Sequence, residues 1–205
     1  MVIHDINQDK QETIVLIHPM NFSRHGKAKD NPYISTTEEA ATLACYLKEH
    51  DLCTIRMVFG ASLGGGVLFE LVKDKNLHIQ KLFFEETSFF ENVGLISKML
   101  GHVFLSKQKK VRQDPQTAIS QVAKRYGKRA KLLVDTLVSM DKQSIRNIVY
   151  DCGHIRLPRL LEDRQKEVIF SYGDKDPNLG HAKRSIKKHY PKTEKSGKAM
   201  GTARR

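Results

Sequence analysis

The chain has 205 residues, 40% of them hydrophobic and 28% charged, which suits one domain with a sizeable core and excludes both two full domains and a wholly disordered chain. The formal net charge of +12 invites a nucleic-acid partner, but residues 183–205 alone carry nine Lys or Arg against the single acid Glu194, and no basic stretch is interleaved with stacking aromatics. The basic excess therefore reads as a solvated helix face followed by a disordered tail over 192–205, and nucleic acid is set aside.

Cys45, Cys53 and Cys152 are odd in number, widely spaced and without a His partner at metal-ligand spacing, so they read as reduced thiols. The first residues lack the charged-then-apolar pattern of a signal peptide, and no apolar run approaches the ~18 residues of a membrane span, which points to a cytoplasmic protein.

Thr13-Ile14-Val15-Leu16-Ile17 is a short β-branched run that fits a strand buried on both faces of a parallel sheet, and it ends at His18-Pro19. Residues 21–35 are polar, with Gly26 and Pro32, and read as a loop. Thr36 and Glu39 have capping-box spacing, and Ala40, Leu43, Ala44 and Leu47 follow at helical period, so a helix is predicted over about 37–49. The run Ile55 to Phe59 predicts a second strand, followed by a glycine-rich turn and the apolar helical stretch Val67 to Val72. Lys81 to Phe84 predicts a further strand ending at Glu85-Glu86. Strands alternating with helices imply βαβ units.

From about 90 to 163 the apolar period is helical throughout: near Val93 to Leu105, Ala118 to Tyr126, Leu132 to Met140 and Ile145 to Val149, with Asp114-Pro115 as N-cap and N1 proline of the second helix. Val168 to Tyr172 resumes the strand pattern, and Gly173-Asp174-Lys175-Asp176-Pro177 leads into a helix near 180–190. The fold class read from this order is α/β, a mostly parallel sheet of reduced strand number with flanking helices and an inserted helical cap. The corresponding organisation is a core in two parts, 1–90 and 164–191, a cap over 91–163 and the tail over 192–205.

Gly60-Ala61-Ser62-Leu63-Gly64 matches G-x-S-x-G between a predicted strand and a predicted helix. A serine at a sharp strand-to-helix turn is forced into a strained backbone conformation, needs tiny neighbours, and presents its hydroxyl above the sheet, where the helix N-terminus favours developing negative charge. The bland alternative is a structural glycine turn.

With these residues the chain resembles the α/β-hydrolase superfamily, more closely its small bacterial serine hydrolases with a helical cap, over about Thr13 to Lys192. The resemblance implies a serine hydrolase acting on a small-molecule ester or similar carbonyl, with Ser62 as nucleophile and no metal or organic cofactor. Ile17-His18-Pro19-Met20 looks like the family's His-Gly turn, which maps oxyanion-hole N–H donors onto Met20 and Leu63 and leaves His18 structural. By the family's acid loop Asp176 is the implied acid, with Asp174 the runner-up; Glu85 or Glu86 could supply it instead, and an Asx turn before the helix would also explain the loop. The implied histidine base has no counterpart, because 192–205 holds neither an apolar strand nor a histidine; His181 and His189 are the nearest substitutes. Near the start, Ser23-Arg24-His25-Gly26 follows Met20 without room for the helix and strand that separate such segments in relatives. A non-catalytic relative acting as a binding protein is therefore the alternative function.

Overall fold

The computed structural model describes residues 3, 11–18, 32–90, 93–160 and 162–191. Its strands are β1 (Thr13–Ile17), β2 (Thr54–Ala61), β3 (His78–Ile79), β4 (Leu82–Glu85) and β5 (Val168–Ser171). They form one sheet in the order β1-β2-β4-β5, with β3 beside the start of β2, and every pairing is parallel. The two-residue β3 was not predicted, since so short a strand leaves no period to read.

Helices α1 (Thr36–Glu49) and α2 (Leu63–Leu71) connect β1 to β2 and β2 to the next strands. The longer excursion between β4 and β5 contains α3 (Gly94–Gln113), α4 (Pro115–Tyr126), α5 (Ala130–Ser139) and α6 (Lys142–Cys152), and α7 (Leu179–His189) follows β5. Each crossover along β1-β2-β4-β5 steps the same way across the sheet, so right-handed connections place their helices on one face.

Side chains at paired positions show that face directly. Ile17, Val58, Leu82, Phe84, Val168 and Phe170 are buried, in one cluster with Leu43 and Leu47 of α1, Val67 and Leu68 of α2, and Ala182 and Ile186 of α7. The aromatic centre is tight, with Phe84 stacked on Phe170 at 5.6 Å and Phe89 edge-on to both. On the opposite face Ile14 pairs with Met57 and Leu16 with Phe59, and there Ile14 and Leu16 remain 52% and 62% exposed. The run Thr13 to Ile17 reads as a doubly buried strand because its composition does not record which face the connections cover.

Two local expectations shift. The N-cap of α1 is Ser35, whose Oγ accepts the Glu38 N–H at 3.1 Å, one residue before the predicted Thr36–Glu39 box. Thr36 is drawn into the first turn because its N–H donates to Asp151 Oδ2 at 2.8 Å. Likewise the glycines after Ser62 are no turn: α2 starts at Leu63 and takes Gly64, Gly65 and Gly66 into its buried first turn. Asp114 caps α4 as predicted, accepting the Thr117 N–H at 3.0 Å with Pro115 at N1.

A polar network joins α6 to the segment before α1. The Tyr33 hydroxyl donates to Asp151 Oδ2 at 2.6 Å, the Tyr33 N–H donates to Ser144 Oγ at 2.8 Å, and Asn147 Nδ2 donates to the Tyr33 carbonyl at 3.1 Å. Burial raises the Asp151 carboxyl above its ordinary value, against the lowering effect of its bonds from Tyr33 and Thr36. A raised folded value means that the folded state holds the proton more tightly, so this group's stabilising contribution is full below the unfolded value near ~3.9 and is lost as pH rises through the folded value. Asp151→Asn, which keeps an acceptor without the charge, is expected to unfold at the same or higher urea concentration than the parent at pH 7. Asp151→Ala, which strands the Tyr33 hydroxyl and the Thr36 N–H, is expected to lose about 1–3 kcal/mol. Urea titrations of both variants and the parent at pH 7 check the pair.

Candidate active site

Ser62 sits where β2 ends and α2 begins, with φ 52° and ψ −115°, a left-handed conformation that strongly favours glycine. Its N–H donates to the Glu85 carbonyl at 2.8 Å, which ties the turn to the end of β4, and its carbonyl accepts from the Gly65 N–H at 3.0 Å. The turn is possible because its neighbours lack side chains. A Cβ on Gly60 would lie 2.6 Å from the Gly64 carbonyl oxygen, and one on Gly64 would lie 2.4 Å from the Ile17 carbonyl oxygen and 2.9 Å from that of His18. The start of α2 is thus pressed against the carboxyl end of β1.

Leu63 is the first helical residue, and the first four N–H groups of a helix have no intrahelical acceptor. Its side chain is buried against Tyr33, Met140, Ile145, Ile148 and Val149, so α5 and α6 help to fix the backbone from which that N–H projects. Met20 lies outside the described residues, as do most of the loop expected over 21–35 and the tail over 192–205. His18 is exposed at the end of β1.

The acid candidates cluster at the carboxyl ends of β4 and β5. Asp176 Oδ1 accepts the Asn178 N–H at 2.7 Å and the Asp176 N–H donates to the Gly173 carbonyl at 3.0 Å, so its carboxylate organises the Asx turn into α7. Burial first, and the Asp176 carboxylate second, hold the Tyr172 phenol above its ordinary value. The Tyr172 hydroxyl donates to the Thr87 carbonyl at 2.6 Å, and the Thr87 side chain abuts Gly65. Tyr172, Thr87 and the first turn of α2 therefore form a continuous packed line. Asp174 is exposed in the same loop.

Glu86 is the second strained residue of this rim, with φ 46°, its N–H donating to the Ser171 carbonyl at 2.9 Å. Its side chain is exposed, and a Cβ on Gly173 would lie 3.4 Å from its Oε1. Neither its conformation nor the buried Thr87 could be read from sequence, because a left-handed non-glycine residue carries no compositional mark.

His181 occupies the first turn of α7 with its ring 4.7 Å from that of Phe90 and its Nδ1 buried without a hydrogen-bond partner. His189 closes the far end of α7, about 12 Å along the axis at 1.5 Å per residue. Among the described residues no histidine hydrogen-bonds the Ser62 hydroxyl, and no group of three His, Cys, Asp or Glu side chains is placed to hold a metal ion. Cys152 is pushed up to about 12 by burial, which removes it as a nucleophile at neutral pH. No described helix is long and apolar enough to cross a membrane.

No protein-family model matches the sequence, and no curated protein matches it significantly. Solved structures do. An α/β-hydrolase enzyme from a Medee basin deep-sea metagenome library superposes with a TM-score of 0.62 at 12% identity, covering 95% of this chain and 82% of that one. A thermophilic esterase from Thermogutta terrifontis gives 0.61 at 13% identity, and a carboxylesterase of the thaumarchaeon Nitrososphaera gargenis gives 0.59 at 11%, each covering 89% of this chain and 79% of the other. At so low an identity a likeness of this breadth is one of architecture: the chain has the α/β-hydrolase fold.

Proposed function

We propose that the chain is a serine hydrolase that cleaves a small-molecule ester or related carbonyl through Ser62. The observation that carries this reading is the left-handed φ of 52° at a serine between β2 and α2, a conformation that costs of order 1–3 kcal/mol and that a purely structural turn would assign to glycine. Esterases and other α/β-hydrolases among the structures of like fold support it. In this mechanism the Ser62 oxygen attacks the carbonyl carbon, and the Leu63 N–H stabilises the resulting oxyanion, with Met20 as second donor. Removing one such donor costs about 2.7–4 kcal/mol in a serine protease. Asp176 would orient the base, with His181 the nearest substitute for that base, and α3 to α6 would act as the cap that shapes the acyl or alcohol pocket.

A second reading is favoured by a specific observation: the described residues supply no histidine bonded to Ser62, while Asp176 spends one carboxylate oxygen on the Asn178 N–H. Under it the chain keeps the fold and binds a ligand without turning it over. A fluorophosphonate probe separates the two. Modification located on Ser62 by mass spectrometry, and lost in Ser62→Ala, is the result expected of the hydrolase; a well-folded protein that takes up no label would leave the binding protein.

A further inference from the structure

We infer that the outer face of α3 is a docking surface for a membrane rich in anionic phospholipid. Residues 94–131 carry ten Lys or Arg against one acid, Asp114, a second basic surplus separate from that of 183–205. Two of the ten are committed within the fold: Arg112 donates to the Val138 carbonyl at 2.8 Å and the Met140 carbonyl at 2.9 Å, and Lys131 pairs with Asp135. Lys107, Lys109, Lys110, Lys124, Lys128 and Arg129 are exposed, and among the described residues no acidic side chain pairs with any of them. Asp114 is itself engaged as the N-cap of α4.

The same helix leaves apolar side chains in water. Met99 is 62% exposed, Val103 42% and Leu100 39%. Met99, Val103, Lys107 and Lys110 recur at i, i+4, i+8 and i+11, so they lie in one line along a helix of 20 residues, with Leu100 beside it. The opposite side of α3 is what holds it in place: Gln108 is buried and donates from Nε2 to the carbonyls of Leu137 at 2.8 Å and Met140 at 2.7 Å, while Phe104 and Leu105 pack against the cluster of Met140, Ile145 and Ile148. The outer line is therefore left over once α3 is docked, apolar toward its start and cationic toward its end. An anionic bilayer surface satisfies both halves, because Met99, Leu100 and Val103 can enter the acyl boundary while the lysines stay level with the lipid phosphates. A nucleic acid would neutralise the lysines and leave those three side chains wet, and the line offers no aromatic ring on which a base could stack. A second copy of the chain would bring a line of the same charge.

The test is co-sedimentation of the full chain with vesicles of phosphatidylcholine alone and of equal parts phosphatidylcholine and phosphatidylglycerol. Binding is read without turnover, so it stands apart from the chemistry proposed at Ser62. The expected result is binding to the anionic vesicles about tenfold tighter or more than to phosphatidylcholine, weakening as salt rises. A lysine at an anionic surface contributes about fivefold in affinity, so K107E/K110E should weaken binding by about tenfold or more. M99S/V103S, which keeps every charge, should weaken it by about fivefold or more. K195A/K198A, in the basic tail, should bind as the parent does. Equal binding to the two vesicles, no binding to either, parental affinity in either folded α3 variant, or a loss in the tail variant as large as that in K107E/K110E overturns the surface. So does binding of polyuridylate by a protein that ignores the anionic vesicles, which would make the basic face one for nucleic acid.

Discussion

Ser62→Gly is expected to make the protein more stable, by about 1 kcal/mol, while abolishing fluorophosphonate labelling. The serine is held at φ 52° and ψ −115°, where a side chain costs of order 1–3 kcal/mol and glycine costs nothing. Glycine's larger conformational freedom in the unfolded chain returns roughly 0.5–1 kcal/mol of that gain. Ser62→Ala keeps the Cβ and so keeps the strain, and its urea midpoint should stay close to the parent's. In both variants the proposed nucleophile is gone, and in a related catalytic arrangement such a loss costs up to ~10⁶ in turnover. A stabilised glycine variant beside an unchanged alanine variant would mean that the turn is maintained against the stability of the fold, as a functional site is and a structural turn is not. Should glycine leave the midpoint unmoved, the strain argument for Ser62 fails, whatever the labelling result.

Gly64→Ala is expected to be severely damaging, with a loss of about 3–5 kcal/mol or failure to fold. The added Cβ would lie 2.4 Å from the Ile17 carbonyl oxygen at the end of β1 and 2.9 Å from that of His18 just after it, and both are backbone atoms that cannot turn aside as a side chain can. The first turn of α2 would have to lift from β1, taking the Leu63 N–H with it. Gly101→Ala gives the contrast. Gly101 lies inside α3, and a Cβ there would meet nothing within 4 Å, so alanine's helical preference should act alone and add roughly 0.5–1 kcal/mol. Thermal melts of the two variants side by side should therefore move in opposite directions. Equal shifts would show that α2 is not packed against β1 as described.

The elbow was legible because its chemistry and its sterics demand the same letters. A nucleophile at a sharp turn needs a serine with tiny residues two positions away on either side, and Gly60, Ser62 and Gly64 are local in sequence. The helices of 93–152 and the caps at Asp114 and at the start of α1 were legible for a similar reason, since capping and periodicity are set within a few residues. Their limits shifted where a distant group intervened. Asp151, 115 residues away from Thr36, takes the Thr36 N–H and moves the cap to Ser35.

Candidates for an acid and a base could not be resolved in the same way, because such roles depend on distances across the sheet rather than along the chain. Asp174, Asp176, Glu85 and Glu86 share one rim in sequence terms, yet the structure gives them different surroundings: a turn for Asp176, a left-handed exposed position for Glu86, and a backbone bond to Ser62 for Glu85.

By itself, then, the sequence determined the alternation of strands and helices, the parallel sheet and the serine turn, all of which follow from local period and steric demand. Only the tertiary structure decided that Ile14 and Leu16 face away from the covering helices and that Gly64 is wedged against Ile17. Those facts depend on which way successive crossovers step across the sheet, a global choice that no window of residues records.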